Sequence, residues 1–176
     1  AANFDVNGSK GTVVTAGGSG QQIAHLGQVS ARDVDAQVAI TFPNAPSGSV
    51  TPFAFLLVRR QGTGAYYRVG LYVTSGGKVF IRGQTSANAN LFADVDTGLS
   101  FSAGDTFVLR VQATGASPTT IRARAWETGT VEPASWQVTA TSSAAGLQTA
   151  GSVGIRTVVT GTLTTTLAFD GFLVEA

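Results

Sequence analysis

The chain lacks several residue types on which common functional sites depend. Its 176 residues include no cysteine, no methionine and a single histidine, His25. The absence of cysteine excludes disulfides, zinc–thiolate centres and thiol nucleophiles. Charged residues make up only 12% of the chain and the formal net charge is +1. A field this weak does not attract a polyanion, which argues against nucleic acid as a partner.

Long apolar segments are missing as well. No apolar run approaches the ~18 residues that a membrane-spanning helix needs, so the sequence predicts no membrane partner. No signal peptide is visible; if the protein is secreted, the signal has been removed or lies upstream. Gly, Ser, Thr and Val take the place of the missing charged residues. Gly and Ser favour turns, whereas branched Thr and Val favour pleated strands.

Apolar and polar residues alternate with a period of two through most of the chain, and turn residues interrupt the pattern repeatedly. One interruption, Ser75-Gly76-Gly77, predicts a tight hairpin. Strands are predicted near residues 12–15, 21–29, 33–42, 52–60, 65–74, 78–84, 90–95, 106–114, 119–127, 135–141, 152–160 and 163–175. So many short strands pack best as two stacked sheets. The prediction is one all-β domain over residues 1–176, an antiparallel two-sheet sandwich of the jelly-roll type.

The end of the chain is the strongest indication of this architecture. Residues 151–175 form two predicted strands, and the second contains Phe169-Asp170-Gly171-Phe172. This ending predicts that the last strand returns to pair near the first.

Alternation also sorts side chains onto two faces of each strand. In residues 65–74, for example, Val69 and Leu71 point one way, whereas Arg68 and Tyr72 point the other. Strands 78–84 and 119–127 show the same division between small or aliphatic residues and aromatic or arginine residues. If these strands share a sheet, their second faces form one exposed ligand platform. Its predicted members are Tyr66, Arg68, Tyr72, Arg82, Arg124 and Trp126.

Such a platform suits a carbohydrate. Sugar rings stack their C–H faces on aromatic rings, and their hydroxyls bond to arginine and tyrosine. The alternative is that the arginines keep an ordinary sheet soluble, with tyrosines covering their stems. Trp126 and Trp136 have a second interpretation, in which both indoles and Pro133 pack as a hairpin plug and a nearby arginine holds Glu132.

Candidates for catalysis are few. His25 has no serine or cysteine motif beside it and is interpreted as a strand residue bonded to a neighbour, and nucleophile-elbow, metalloprotease and phosphate-loop motifs are absent. Asp33 with Asp35, and Asp94 with Asp96, have the spacing of carboxylates on one strand face, and paired carboxylates hydrolyse glycosides. Asp33 and Asp35 are expected to face water. The sequence predicts a protein that is not an enzyme.

A calcium ion is the one cofactor that the sequence leaves open. Calcium binds carboxylate and backbone oxygens, and many sandwiches hold such an ion where their termini meet. Asp5 and Asp170 lie near opposite ends of the chain and are the candidate ligands. The alternative for Asp170 is that it caps a bulge in the last strand together with Gly171.

Several segments, taken in order, resemble a laminin-G/concanavalin-A-like module. The resemblance rests on residues 31–38, Arg59-Arg60, 67–69, 103–106, 117–126, 132–136, 151–155 and 169–172. Such modules are appended to secreted bacterial proteins, especially actinobacterial polysaccharide-degrading enzymes, and occur in phage tails. They usually carry a further segment before the point where this chain starts, so the resemblance implies a fragment or an N-terminal strand that is missing or supplied elsewhere.

The resemblance implies a secreted, lectin-like, carbohydrate-binding module within a larger multidomain chain, with a polysaccharide or glycan as partner. Two alternatives stay open. One is a structural or adhesive domain of a phage tail or cell surface, and the other is a β-sandwich glycosidase or lyase.

Overall fold

A computed structural model describes residues 3–18, 20–44, 46 and 50–176 of the chain. Thirteen strands are found in these residues, and no helix in them is long and apolar enough to cross a membrane. The strands are β1 (Phe4–Asn7), β2 (Lys10–Thr15), β3 (Gln21–His25), β4 (Val34–Thr41), β5 (Thr51–Arg60), β6 (Tyr67–Val73), β7 (Lys78–Thr85), β8 (Val95–Ser100), β9 (Thr106–Thr114), β10 (Thr119–Glu127), β11 (Val138–Ser142), β12 (Ser152–Thr160) and β13 (Thr165–Glu175).

The strands form two antiparallel sheets stacked face to face. Sheet A has the order β1-β2-β13-β4-β9-β10-β11, and sheet B has the order β3-β12-β5-β6-β7-β8. The last strand, β13, lies between β2 and β4. This position confirms that the end of the chain returns to pair near its beginning, and the two-sheet sandwich is also confirmed.

One predicted strand is wrong. A strand is expected at residues 90–95, but the strand in this part of the chain, β8, begins only at Val95. Residues 86 and 87 turn the chain, with the Asn88 amide donating to the Thr85 carbonyl at 3.0 Å and Asn88 at a φ of 64°. Asn90 after this turn makes a single bridge to Gln84, and residues 91–94 are not in a strand. Asparagine tolerates this left-handed conformation better than most residues, so the Asn-rich segment turns instead of extending. The hairpin at residues 75–77 is confirmed between β6 and β7.

The main core fills the space between the sheets. Alternate residues of β4 and β9 in sheet A, such as Val38 and Leu109, meet alternate residues of β5 and β6 in sheet B, such as Leu56 and Leu71. All four side chains are fully buried. The period-two pattern therefore fixes which residues of β6 and β7 leave the core and point outward from sheet B.

Arg59, near the end of β5, ties together loops at one end of the sandwich. Its side chain is fully buried, and all three guanidinium nitrogens donate hydrogen bonds. The acceptors are the carbonyls of Arg32, Gly115 and Leu147 and the hydroxyl of Thr119. A carboxylate oxygen of Asp33 lies 3.7 Å away. In this structural arginine, each guanidinium nitrogen therefore donates to an oxygen of the protein.

Candidate functional site

A layer of aromatic rings covers the outer face of sheet B. Phe53 and Phe55 of β5 are stacked, with centroids 5.9 Å apart and an interplanar angle of 2°. Tyr72 of β6 lies 5.0 Å from Phe53 and 5.3 Å from Phe80 of β7. These rings form a row across three neighbouring strands. Phe53 and Phe55 are buried, and Tyr72 and Phe80 are partly exposed.

Glycine at position 70 makes room for this layer. A Cβ atom placed there would lie 2.5 Å from the Phe55 ring and 2.2 Å from the Ala54 carbonyl oxygen. Contacts below 3.0 Å are not tolerated by real Cβ atoms. The Phe55 ring therefore occupies the position that a side chain on the middle of β6 would fill.

Arg82 of β7 covers part of the row and is held by one carboxylate. Its guanidinium carbon lies 5.0 Å from the Phe53 centroid and 4.9 Å from the Tyr72 centroid, a cation–π geometry. Arg82 Nε donates to Asp94 Oδ1 at 2.9 Å, and the Tyr72 hydroxyl donates to Asp94 Oδ2 at 2.9 Å. Asp94 thus fixes both the arginine and the tyrosine.

These contacts set the protonation of the group. Hydrogen bonds from Arg82 hold the pKa of Asp94 below its usual value. Burial, reinforced by the bond to Asp94, raises the pKa of Tyr72 to about 12. At neutral pH Asp94 is therefore an anion and Tyr72 carries its proton.

Arg68 of β6 lies beside this group and is 5% exposed. Its guanidinium carbon sits 5.3 Å from the Phe55 centroid. Its Nη2 donates to the amide oxygens of Gln84 and Asn88, and its buried Nε has no partner among the described residues. Both acceptors are neutral.

Arg156 reaches the same region from β12. Its Nη2 donates to Gln21 Oε1 at 2.6 Å, and its Nε donates to the same oxygen at 3.2 Å. Its buried Nη1 has no partner among the described residues. Burial lowers the pKa of Arg156. This second arginine also bonds to a neutral acceptor.

Between these side chains lies a groove of about 180 Å³, which we call the sheet B groove. Its described lining contains no aspartate or glutamate. The lining residues are Phe53, Phe55, Arg68, Arg82, Gln84, Asn88, Arg156, Val158 and Thr160. The groove offers aromatic rings, forked cationic donors and side-chain amides, with Asp94 bonded to Arg82 at its side.

The predicted six-residue platform is wrong as a single surface. Tyr66, Arg68, Tyr72 and Arg82 belong to the sheet B side, but Arg124 and Trp126 lie on β10 of sheet A. The strands that the prediction combined are on opposite layers, so their outer faces point in opposite directions. Tyr66 and Arg68 are also buried rather than exposed, at 7% and 5%. Whether any of the six binds a ligand stays a prediction.

Arg124 belongs to a closed arrangement on the outer face of sheet A, and Trp126, two residues further along β10, is 8% exposed. Arg124 contacts the Trp136 ring at 4.3 Å and donates to the Pro133 carbonyl at 2.7 Å. Glu132 is bound by Arg124 and, at 2.9 Å, by Arg110. The expectation that an arginine holds Glu132 is confirmed. These contacts fasten residues 128–137 over the sheet.

The sequence reasoning missed the contributions of β5 and β12. Residues 53–58 are apolar at every position, so a period of two cannot assign Phe53 and Phe55 to a face. A usable signal was present: an antiparallel strand that is apolar on both faces needs a cover on each. Arg156 was missed because the sequence does not reveal that β12 pairs with β5.

The remaining catalytic candidates do not converge. His25 Nδ1 lies 3.3 Å from the Ser152 hydroxyl, which confirms a strand residue bonded to a neighbour. Asp96 pairs with Lys78 at 2.7 Å. Asp35 lies on the outward face of β4 as expected but is partly covered there because it binds Arg110 at 2.8 Å; Asp33 is exposed as expected.

The two candidate calcium ligands are separated by a strand. Asp5 of β1 lies opposite Thr12 of β2, and Thr12 lies opposite Ala168 of β13, so two strand spacings of about 4.8 Å each separate Asp5 from β13. Each carboxylate accepts from the next backbone amide, at 2.8 Å. No group of three acidic or histidine side chains is found among the described residues. Asp170 accepts from the Gly171 amide at the β13 bulge, and whether Asp5 or Asp170 binds calcium stays a prediction.

The fold is that of concanavalin A-like jelly-roll sandwiches. A Bacteroides ovatus mixed-linkage glucan GH16 protein, solved with its product, aligns with a TM-score of 0.60 at 12% identity, covering 98% of this chain and 84% of that chain. An endo-β-1,4-glucuronan lyase from Trichoderma reesei gives 0.56 at 11%, covering 98% and 83%. A legume lectin-like domain from Entamoeba histolytica gives 0.54 at 12%, covering 98% and 86%. No protein-family model and no curated protein sequence matches the chain.

Proposed function

We propose that the protein is a non-catalytic carbohydrate-binding module that binds glycan in the sheet B groove. The observation that carries the proposal is the combination of a row of aromatic rings with arginine and amide donors on one outer sheet face. Sugars need both components, because their C–H faces stack on rings and their hydroxyls need hydrogen-bonding partners. Tyr72 and Phe80, the more exposed rings of the row, lie beside the groove lining and provide a stacking surface that continues from it.

The structural neighbours support a carbohydrate-related role. By their descriptions, they include a mixed-linkage glucan GH16 protein, a glucuronan lyase and a legume lectin-like domain. Enzymes and a lectin-like protein thus share this sandwich. The fold is therefore compatible with both binding and catalysis, and the choice between them rests on the side chains of this protein.

Carboxylate chemistry supports a binding role. A glycosidase needs a carboxylic acid whose pKa is raised so that it can protonate the leaving oxygen. Asp94, the carboxylate beside the groove, has a lowered pKa because Arg82 donates to it. Tyr72 keeps its proton until about pH 12 and is a poor base at neutral pH. The groove residues therefore hold and orient, and we assign them no proton transfer.

The test is binding to a panel of insoluble polysaccharides and soluble glycans, with and without calcium. Phe80→Ala should weaken binding by roughly 5- to 30-fold, because one aromatic contact is worth about 1–2 kcal/mol. Phe172→Ala is the matched control: it removes a phenylalanine that is 37% exposed on β13, away from the groove. Glycan release by the unmodified protein would overturn the non-catalytic assignment, and calcium dependence is read from the same panel.

A structural or adhesive module is the second candidate, favoured by apolar side chains exposed on β1 and β13. Val6 is 71% exposed, Phe4 40% and Leu173 53%. Exposed apolar groups of this kind occur at protein–protein contacts. This candidate predicts concentration-dependent self-association and no affinity for any glycan. Secretion and membership of a larger chain, in the manner of laminin-G-like modules, remain part of the proposal.

A further inference from the structure

We infer that the sheet B groove takes a sugar unit carrying an anionic substituent, a carboxylate or a sulfate, and that Arg68 and Arg156 bind it. The inference rests on the proposed function, because it specifies the ligand class of the same groove. It follows from one buried and one partly buried arginine, neither of which has an acidic partner among the described residues.

The charges around the groove do not balance. Arg68, Arg82 and Arg156 contribute three positive charges, whereas Asp94 contributes one negative charge and is bound to Arg82. Two cations thus lie in the groove with no carboxylate bonded to either among the described residues. The formal net charge of +1 for the whole chain conceals this local excess.

Burial makes the excess costly. Removing a guanidinium from water costs free energy that partners must return. Arg59 is fully buried, and each of its nitrogens donates to an oxygen, with Asp33 close by. Arg68 is almost as buried but leaves Nε without a partner and bonds only to neutral amides. The cation–π contact with Phe55 offsets part of the cost and supplies no acceptor.

Arg156 has the same deficiency from the opposite side of the groove. Within the described residues its guanidinium donates to the amide oxygen of Gln21, while its buried Nη1 lies without a partner there. Four buried side-chain nitrogens in the described residues lack a partner, and two of them belong to arginines that line this one groove. An anionic group placed between them would accept from both and neutralise the excess charge.

The experiment compares glycans that share a backbone and differ in charge. The first pair is cello-oligosaccharide and the same oligomer oxidised to the carboxylate at C6. The second is polygalacturonate, fully methyl-esterified and de-esterified. Sulfated cello-oligosaccharide serves as the arm that separates sulfate from carboxylate recognition. Affinities are measured by calorimetry at low and at raised salt, because charged contacts weaken as salt screens them.

We expect at least one acidic member to bind about tenfold or more tightly than its neutral counterpart, since a charge-assisted hydrogen bond is about twice as strong as a neutral one. Arg156→Gln should remove most of that preference. It is the primary variant, because Arg156 is less buried than Arg68 and its loss disturbs the aromatic layer less. Arg68→Gln is the second variant, read together with its thermal stability.

Arg122→Gln is the matched control. It removes the same charge from β10 on the outer face of sheet A and should leave the preference unchanged. Equal affinity for the charged and neutral members, or binding on the wider panel only to neutral glycans, would overturn the inference and leave the proposed function standing. Absence of binding to every glycan would overturn both. A preference that survives in both arginine variants would also overturn it.

Discussion

The two outer faces of the sandwich use the same residue types for different ends. On sheet A, Arg110 and the Trp136-stacked Arg124 are bound by the carboxylates Asp35 and Glu132, while the ring-free Arg122 of the same face has no ion pair among the described residues. On sheet B, three arginines face the single carboxylate Asp94. Arginine beside an aromatic ring therefore does not by itself mark a binding site. The distinguishing property is whether acidic groups within the chain already satisfy it.

The faces also differ in what covers them. Residues 128–137 are fastened over sheet A by Glu132 and by carbonyls bonded to Arg124. On sheet B, the aromatic layer is covered in part by Arg82 and otherwise opens into the groove. A covered face contributes stability, whereas an open face leaves aromatic area for a ligand. Variants on each face should therefore separate stability from binding.

The largest effect is expected from Phe55→Ala on sheet B. Phe55 is 3% exposed and stacks on Phe53 above Gly70, so truncation leaves a cavity under Arg68. Truncating a buried phenylalanine costs about 3–5 kcal/mol, and we expect the lower end at this outer layer. Urea denaturation measures the change. Phe172→Ala, on a partly exposed ring, should cost far less; equal costs would mean that the layer is not packed.

The difference between these two phenylalanines also shows what sequence can and cannot provide. Alternation correctly separated inward Val69 and Leu71 from outward Arg68 and Tyr72. It could do so because the alternation of side-chain direction depends only on neighbouring residues of one strand. Pairing between distant strands is not local. The sequence therefore could not tell that β10 lies in the other sheet from β6, or that β12 carries Arg156 to the groove.

Turn chemistry marks the same limit. Ser75-Gly76-Gly77 predicts its hairpin because glycine readily adopts the positive φ that such a turn needs. In the structure Gly77 has a φ of 71°. The sequence pattern predicts a strand just before β8, although Asn88 and Asn90 are residues that favour turns. In the structure the Asn88 side chain accepts a hydrogen bond from Arg68, and the Asn90 side chain accepts one from Gln84. The sequence also does not reveal the charge balance of the groove. Only the folded structure shows that Asp94 pairs with Arg82 and not with Arg68.

A smaller effect is expected on sheet A from Asp35→Asn. The change breaks a two-bond contact with Arg110, whose nitrogens lie 2.8 Å from the two Asp35 oxygens. Both side chains are mostly buried, at 27% and 19% exposure, so we expect a loss of about 1–2 kcal/mol in unfolding free energy. Glycan affinity should not change, because the groove is on the other sheet.

Asp96→Asn is the control for that variant, because the Lys78–Asp96 pair is exposed and should not alter stability measurably. A fall in glycan affinity for Asp35→Asn would break the separation between the faces. It would mean that the two outer surfaces are coupled through the core.

The smallest effect concerns acid. The folded-state pKa of Asp94 is lowered from 3.8, chiefly by the hydrogen bonds from Arg82. A depressed pKa contributes stability that is fully present above the unfolded value and is lost as pH falls through the folded value. We therefore expect the contribution of Asp94 to be constant from about pH 5 upward and to be lost progressively as pH falls below 3.8 through the lower folded-state pKa. Its magnitude should be under about 1 kcal/mol because the pair is partly exposed. Asp94→Asn should lower stability at pH 7 and carry a smaller penalty at pH 2, as measured by thermal unfolding. A penalty for Asp94→Asn that is equal at both pH values would show that Asp94 is not an anion bound by Arg82. Arg82 could then not be treated as neutralised by Asp94. There would then be no basis for treating Arg68 and Arg156 as the arginines left for a ligand.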